Sequence, residues 1–177
     1  MEIVYVLVGY GFIGLVVYLI VTRRLNRWHT ISEYERGIIY RNGQAFQEVG
    51  PGTYKLRKER DFLVFVDVRP EAFDWDQSAV STLDGHTAVY SLAGKTQIQD
   101  VRKAIYCARN CHQAALAKTI ATVRRMLNEY EAGDIRNHTE PLCDNIRQRV
   151  RDAVVELGMV VTDLRLDQLR IIESVRR

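Results

Sequence analysis

Three cysteines in 177 residues leave one thiol over from any pairing. No disulfide framework is therefore expected, and a reducing compartment suits the chain. The sequence has no basic run interleaved with aromatics, which excludes the usual footprint of nucleic-acid binding. It has no low-complexity tract and no long internal repeat. No Gly-x-Ser-x-Gly surrounds Ser78, Ser81 or Ser91, and no nucleophile–base motif stands out. His86 and His138 read as turn histidines, and Asp67, Asp74, Asp76 and Asp84 as caps and turns near strand ends. Cys107 and Cys111 are four apart, on one helical face, with His112 next. That histidine points about 100° away on a helix, Cys143 is distant, and zinc needs three or four protein ligands. We expect ordinary thiols, no metal, no cofactor and no enzymatic activity.

Charge is missing from one stretch altogether. Ile3–Val21 contains nineteen consecutive uncharged positions, and as a helix it would reach roughly 29 Å, the thickness of a bilayer's hydrocarbon core. A helix satisfies its own backbone, so lipid accepts it. Ile3, Leu7, Phe12, Leu15 and Val21 are the expected membrane-anchor residues. Arg23, Arg24 and Arg27 follow at once, with Trp28 beside them, against Glu2 alone on the other side. Positive flanks stay on the cytoplasmic side, and tryptophan favours the interface. These four residues are the expected interfacial anchor of a single-pass protein of the cell membrane with a cytoplasmic body. A basic n-region and an Ala-x-Ala cleavage site are both lacking, so a cleaved signal peptide is not expected. Gly9-x-Gly11-x-x-Gly14 matches the dinucleotide fingerprint on paper. Leu15–Val21, however, has no polar face for the helix that must follow, and close packing or a bend in the membrane is the preferred reading.

Beyond the span the chain carries 25 basic and, with Glu2 set aside, 21 acidic residues. This mild excess suits an anionic leaflet. About 150 residues remain, enough for one compact domain or two small ones. Strand formers at Ile38–Tyr40 run into Asn42-Gly43, a hairpin signal, with Ala45–Val49 as return strand. Gly50-Pro51-Gly52 makes a second turn before Thr53–Leu56. Phe62–Val68 reads as a buried strand, and His86–Leu92 is extended after Asp84-Gly85. The period then changes. Asp100 caps a helix over Val101–Ala108. Leu116, Ile120, Val123 and Leu127 share one helical face. Thr139-Glu140-Pro141 starts another helix, whose apolar stripe is Leu142, Ile146, Val150, Val154 and Leu157. Its polar side, with Arg147, Arg149, Arg151 and Asp152, is the candidate for self-association, because charged surfaces set register. Gly158 sits where a left-handed cap is wanted, and Met159–Ile172 reads as a closing strand. The fold class is α+β, with an antiparallel β-rich first half and an αβ second half. The expected organisation is a membrane anchor at 1–22, a juxtamembrane basic linker at 23–32, the domain at 33–172 and a tail at 173–177.

Glu33–Gly43 (EYERGIIYRNG), Gly50-Pro51-Gly52, Val66–Arg69 and Ser81–Tyr90 (STLDGHTAVY) come in an order that resembles the stomatin/prohibitin/flotillin-type (SPFH, band 7) domain family. Asp100–Tyr106, Thr122–Leu127 and Gly158–Leu169 are similar to its helix starts and closing strand. The resemblance covers roughly residues 31–172, in a short slipin-like form that stops before the family's coiled coil, with charges at Arg57–Asp61 where an apolar loop often lies. It implies a non-enzymatic, membrane-anchored scaffold or regulator that binds membrane lipid, forms a homo-oligomer and organises membrane proteins or lipid microdomains. An accessory subunit of a membrane protease or channel is the alternative function. A nucleotide-binding enzyme built on Gly9, Gly11 and Gly14 is a distant third.

Overall fold

The computed structural model describes residues 11–21, 26–137 and 139–172. Residues 11–21 are helical (α1), and their side chains, Phe12, Leu15 and Val21 among them, are exposed. Ile3 and Leu7 lie outside the described residues, as do Arg23 and Arg24. Among the described residues no helix is long and apolar enough to cross a membrane.

The chain divides into two units, Met1–Val66 and Asp67–Arg177. In the first, β1 (Asn26–Ile31) pairs antiparallel with β4 (Gly52–Arg57). A second sheet has the order β3-β2-β5, from β2 (Glu35–Arg41), β3 (Gln44–Val49) and β5 (Asp61–Asp67). Asn42 and Gly43 join β2 to β3 with φ of 52° and 80°, the left-handed pair a two-residue hairpin requires. Ile31, Ile39, Val49 and Leu56 form the buried cluster, with Tyr54 and Leu63 packed on it.

Two expectations change here. Residues 26–31 fall in the expected linker, since Arg27, Trp28 and His29 are polar or interfacial types. Backbone pairing with β4 makes them a strand, with Trp28 opposite Lys55. Phe62–Val68 was read as a buried strand, but in β5 Phe62 and Phe65 are exposed. Unbroken apolar character does not separate a two-sided buried strand from one whose outer face carries aromatics.

The second unit is one antiparallel sheet, β6-β7-β8, under two helices. Its strands are β6 (Glu71–Ser81), β7 (Thr87–Ile98) and β8 (Met159–Ile172). Asp74 and Asp76 lie inside β6, not at its end. Ala88, Tyr90 and Leu92 alternate inward along β7. Between β7 and β8 the chain forms α2 (Val101–Cys107), α3 (Cys111–Glu129), α4 (Ala132–Asn137) and α5 (Thr139–Val155). Asp100 caps α2 by accepting from the Lys103 N–H, and Asn110 caps α3 through Gln113. Helix α3 packs on α5 and on the sheet. Val123 and Leu127 are buried as expected, but Leu116 and Ile120 are only half-buried. Ala115, Thr119 and Thr122 are buried instead, because small side chains allow the helix to approach closely. Thr119 donates to the Ala115 carbonyl at 2.8 Å, so its hydroxyl is satisfied. In α5 Leu142, Ile146, Val150 and Val154 are buried. Leu157, beyond the helix end, is half-buried.

Gly158 turns the chain into β8. Its φ is 71°, and a Cβ there would lie 2.5 Å from the Asp100 carbonyl oxygen. Its own carbonyl accepts from the N–H groups of Gln99 and Asp100, both at 2.9 Å. One glycine thus seats the end of α5 against the start of α2.

Candidate interaction surfaces

Among the described residues no three His, Cys, Asp or Glu side chains converge on a metal position. Cys107, Cys111 and Cys143 are free thiols, the last two buried. Burial pushes both of those thiols up, away from the reactive thiolate. Thr96 Oγ1 lies 2.7 Å from His112 Nδ1, and Glu71 Oε2 lies 3.4 Å from the same nitrogen. A hydroxyl–imidazole–carboxylate relay needs its partners on opposite ring nitrogens, so this trio serves packing. The Tyr90 hydroxyl is buried, with no hydrogen-bond partner among the described residues. Burial pushes this hydroxyl's pKa up, and Arg124 and Ser78 act in the opposite sense. Gly11 and Gly14 lie in α1. The pairs β1–β4, β2–β3, β6–β7 and β7–β8 are all antiparallel, so these strands form none of the parallel βαβ unit that the dinucleotide fingerprint requires.

The first unit exposes several aromatic rings that stand beside a cation or another ring. Trp28 is 69% exposed, with the Lys55 ammonium 6.0 Å from its ring. The Arg41 guanidinium stands 3.5 Å over Phe46. Tyr40 stacks on Phe62 at 4.8 Å, and His29 lies 5.6 Å from Phe65. Arg27, on the same strand as Trp28, is exposed. Beneath this surface Asp61 is buried, accepting from Arg41 Nε at 3.1 Å, Arg60 Nε at 3.3 Å and the Arg57 N–H at 3.3 Å. Burial alone would raise its carboxyl. The Arg57 N–H and the two guanidinium groups outweigh burial and hold it below the ordinary value. Within Arg57–Asp61, Arg60 thus turns to the buried Asp61 carboxylate, while the side chains of Arg57, Lys58 and Glu59 are exposed.

The four residues read as a self-association face are not one face. At about 100° per residue Arg147 and Arg151 lie about 40° apart, while Arg149 is on the far flank. Arg147 donates from Nε to the Leu164 carbonyl at 3.0 Å and pairs with Asp144 at 2.7 Å, tying α5 to β8. Arg151 is exposed. Arg149 and Asp152 line a groove of about 460 Å³ between α3 and α5. The α3 wall of that groove went unread, although Lys118, Ala121, Thr122 and Arg125 recur at i, i+3, i+4 and i+7, the spacing of one helical stripe. The stripe mixes small and charged residues, so it carries no apolar periodicity.

The sequence profile of the SPFH domain / Band 7 family matches residues 29–177. This chain belongs to the SPFH domain / Band 7 family. An uncharacterized protein of Archaeoglobus fulgidus is 24% identical over 165 residues, covering 93% of this chain and 66% of its own length. A stomatin homolog of Pyrococcus abyssi is 20% identical over 147 residues, covering 83% of this chain and 55% of its own. The chain thus spans less than two thirds of the length of these relatives. The SPFH assignment agrees with the α+β architecture, and residues 29–177 begin within β1, close to the Ile31 start read from the motifs.

Proposed function

We propose that this protein is a membrane-anchored SPFH scaffold that self-associates and organises membrane proteins or lipid microdomains. The observation that carries the reading is the charge-free run Ile3–Val21 placed immediately before a family-matched domain. The juxtamembrane arginines and the exposed Trp28 support an interfacial position for the start of the first unit. The same arginines support a single pass with the body in the cytoplasm. A shared anchor gives every copy one orientation and raises its effective concentration, so weak lateral contacts suffice.

Crosslinking in native membranes followed by sizing in mild detergent tests the scaffold. Dimers or larger species are expected. A strictly monomeric result at both steps removes self-association and leaves the one-to-one accessory role at a protease or channel. Identification of co-purified proteins then separates the two: a scaffold returns several membrane proteins, an accessory subunit one.

A further inference from the structure

The α3–α5 groove is built from two matching stripes. Lys118, Ala121, Thr122 and Arg125 face Arg149, Asp152, Ala153 and Glu156. At one end Lys118 pairs with Glu156 at 3.2 Å. The floor is Ala121, Thr122 and Ala153, small enough to admit a side chain from outside. At the other end stand Arg125 and Arg149, both exposed, with no ion-pair partner among the described residues. Two neighbouring guanidinium groups repel unless an anion lies near both.

The complement sits on the same unit, at the corner joining the β6–β7 turn to the end of α3. Leu83, 66% exposed, projects there. Its N–H donates to the Tyr130 carbonyl at 3.0 Å, so its backbone is fixed. Asp84 braces the corner by accepting from the Ala132 N–H at 3.1 Å. Around it Glu129, Glu131 and Asp134 are exposed, without ion-pair partners among the described residues. The corner is thus an apolar knob anchored at Tyr130 and Ala132, with the exposed carboxylates of Glu129, Glu131 and Asp134 flanking those anchors along the chain, and the groove is a small-residue floor with two arginines at its end.

We infer that the Leu83 corner of one copy docks in the α3–α5 groove of the next, with Glu131 and Asp134 meeting Arg125 and Arg149. This rests on the self-association proposed above and names its surfaces. Corner and groove are different patches, so the contact either closes reciprocally as a dimer or runs head-to-tail as a ring or a filament. The common orientation imposed by an anchor suits such a contact, since every copy presents its groove the same way round.

The test uses the full chain in membranes, crosslinked and then sized in mild detergent. One variant carries Arg125→Glu with Arg149→Glu, a second Glu131→Arg with Asp134→Arg. Each alone places like charges across the contact and should lose at least tenfold of the crosslinked species. Co-expressed, the two carry opposite charges at both of their contacts, and assembly should return. Ala121→Trp, at an exposed position, fills the floor without changing charge and should block assembly while leaving the melting temperature within a few degrees. If either charge variant assembles like the wild type, if the mixture fails to recover, or if Ala121→Trp is silent, the inference is wrong. Loss of an acidic co-purified protein from the groove variant with self-assembly intact would assign the groove to another occupant. A monomeric wild type would overturn the self-association reading itself, and this inference with it.

Discussion

The two units solve the problem of stability differently. The second has helices of 19 and 17 residues on a three-stranded sheet, and it buries large side chains completely, among them Tyr90, Leu92, Leu127, Ile146 and Met159. The first has short strands around Ile31, Ile39, Val49 and Leu56, and it leaves Trp28, Phe46, Phe62 and Phe65 exposed. A unit with so few buried side chains spends its aromatics on its surface. The contrast is one of burial: the second unit has the larger enclosed core, and the first carries several exposed rings beside cations or other rings.

Several changes would break or sharpen that contrast. The chain has two tryptophans, Trp28 in the first unit and Trp75 in the second, so single-tryptophan variants report each unit separately. Ile146→Ala empties a fully buried position between α5 and the sheet and should cost about 2–5 kcal/mol. Denaturant unfolding followed at Trp75 should shift strongly. Unfolding followed at Trp28 should move less, and equal shifts would mean that the units unfold as one.

Phe12→Arg places a charge in the middle of the charge-free run and should cost about 2.5–3.5 kcal/mol of membrane insertion. Alkaline carbonate should then release more of the variant than of the wild type. A wild type that washes off with carbonate would refute the anchor directly.

Asp61→Asn leaves Arg41 and the Arg57 N–H with a weaker acceptor and should destabilise the first unit by about 1–3 kcal/mol. The sign of its pH dependence follows from its lowered carboxyl. The stabilisation is complete above the unfolded aspartate value, about 3.9, and is lost as pH falls through the lower folded value. Acid titration should therefore change the Trp28 signal in the wild type, and that change should shrink in Asp61→Asn. Asp67 and Asp84 are also held down, by Arg69 and by the Thr82 hydroxyl. They are solvent-accessible, so the Trp75 signal should respond less.

Much of this was legible in the sequence. Asn42-Gly43, Asp100 and Gly158 are positions where one residue type answers one backbone demand, and the structure uses each as expected. The α5 stripe was legible because a helix packed on a sheet buries one side only. β1 was not, since a strand held by backbone pairing with β4 needs no apolar pattern. Length and alternation would have revealed β6, but its acidic residues Asp74 and Asp76 read as turn signals. Arg147, Arg149 and Arg151 looked equivalent as a list of charges, and only packing separates the arginine bonded to Leu164 from the one that lines the groove.

The proposed function puts the start of the first unit, at Arg27 and Trp28, at the membrane interface. It is tested most directly by quenching tryptophan fluorescence with bromine-labelled lipids, using the full chain in bilayers. Trp75→Phe leaves Trp28 as sole emitter, and Trp28→Phe leaves Trp75. The account predicts strong quenching of Trp28, with Trp75 as the reference emitter; an unquenched Trp28 would contradict it.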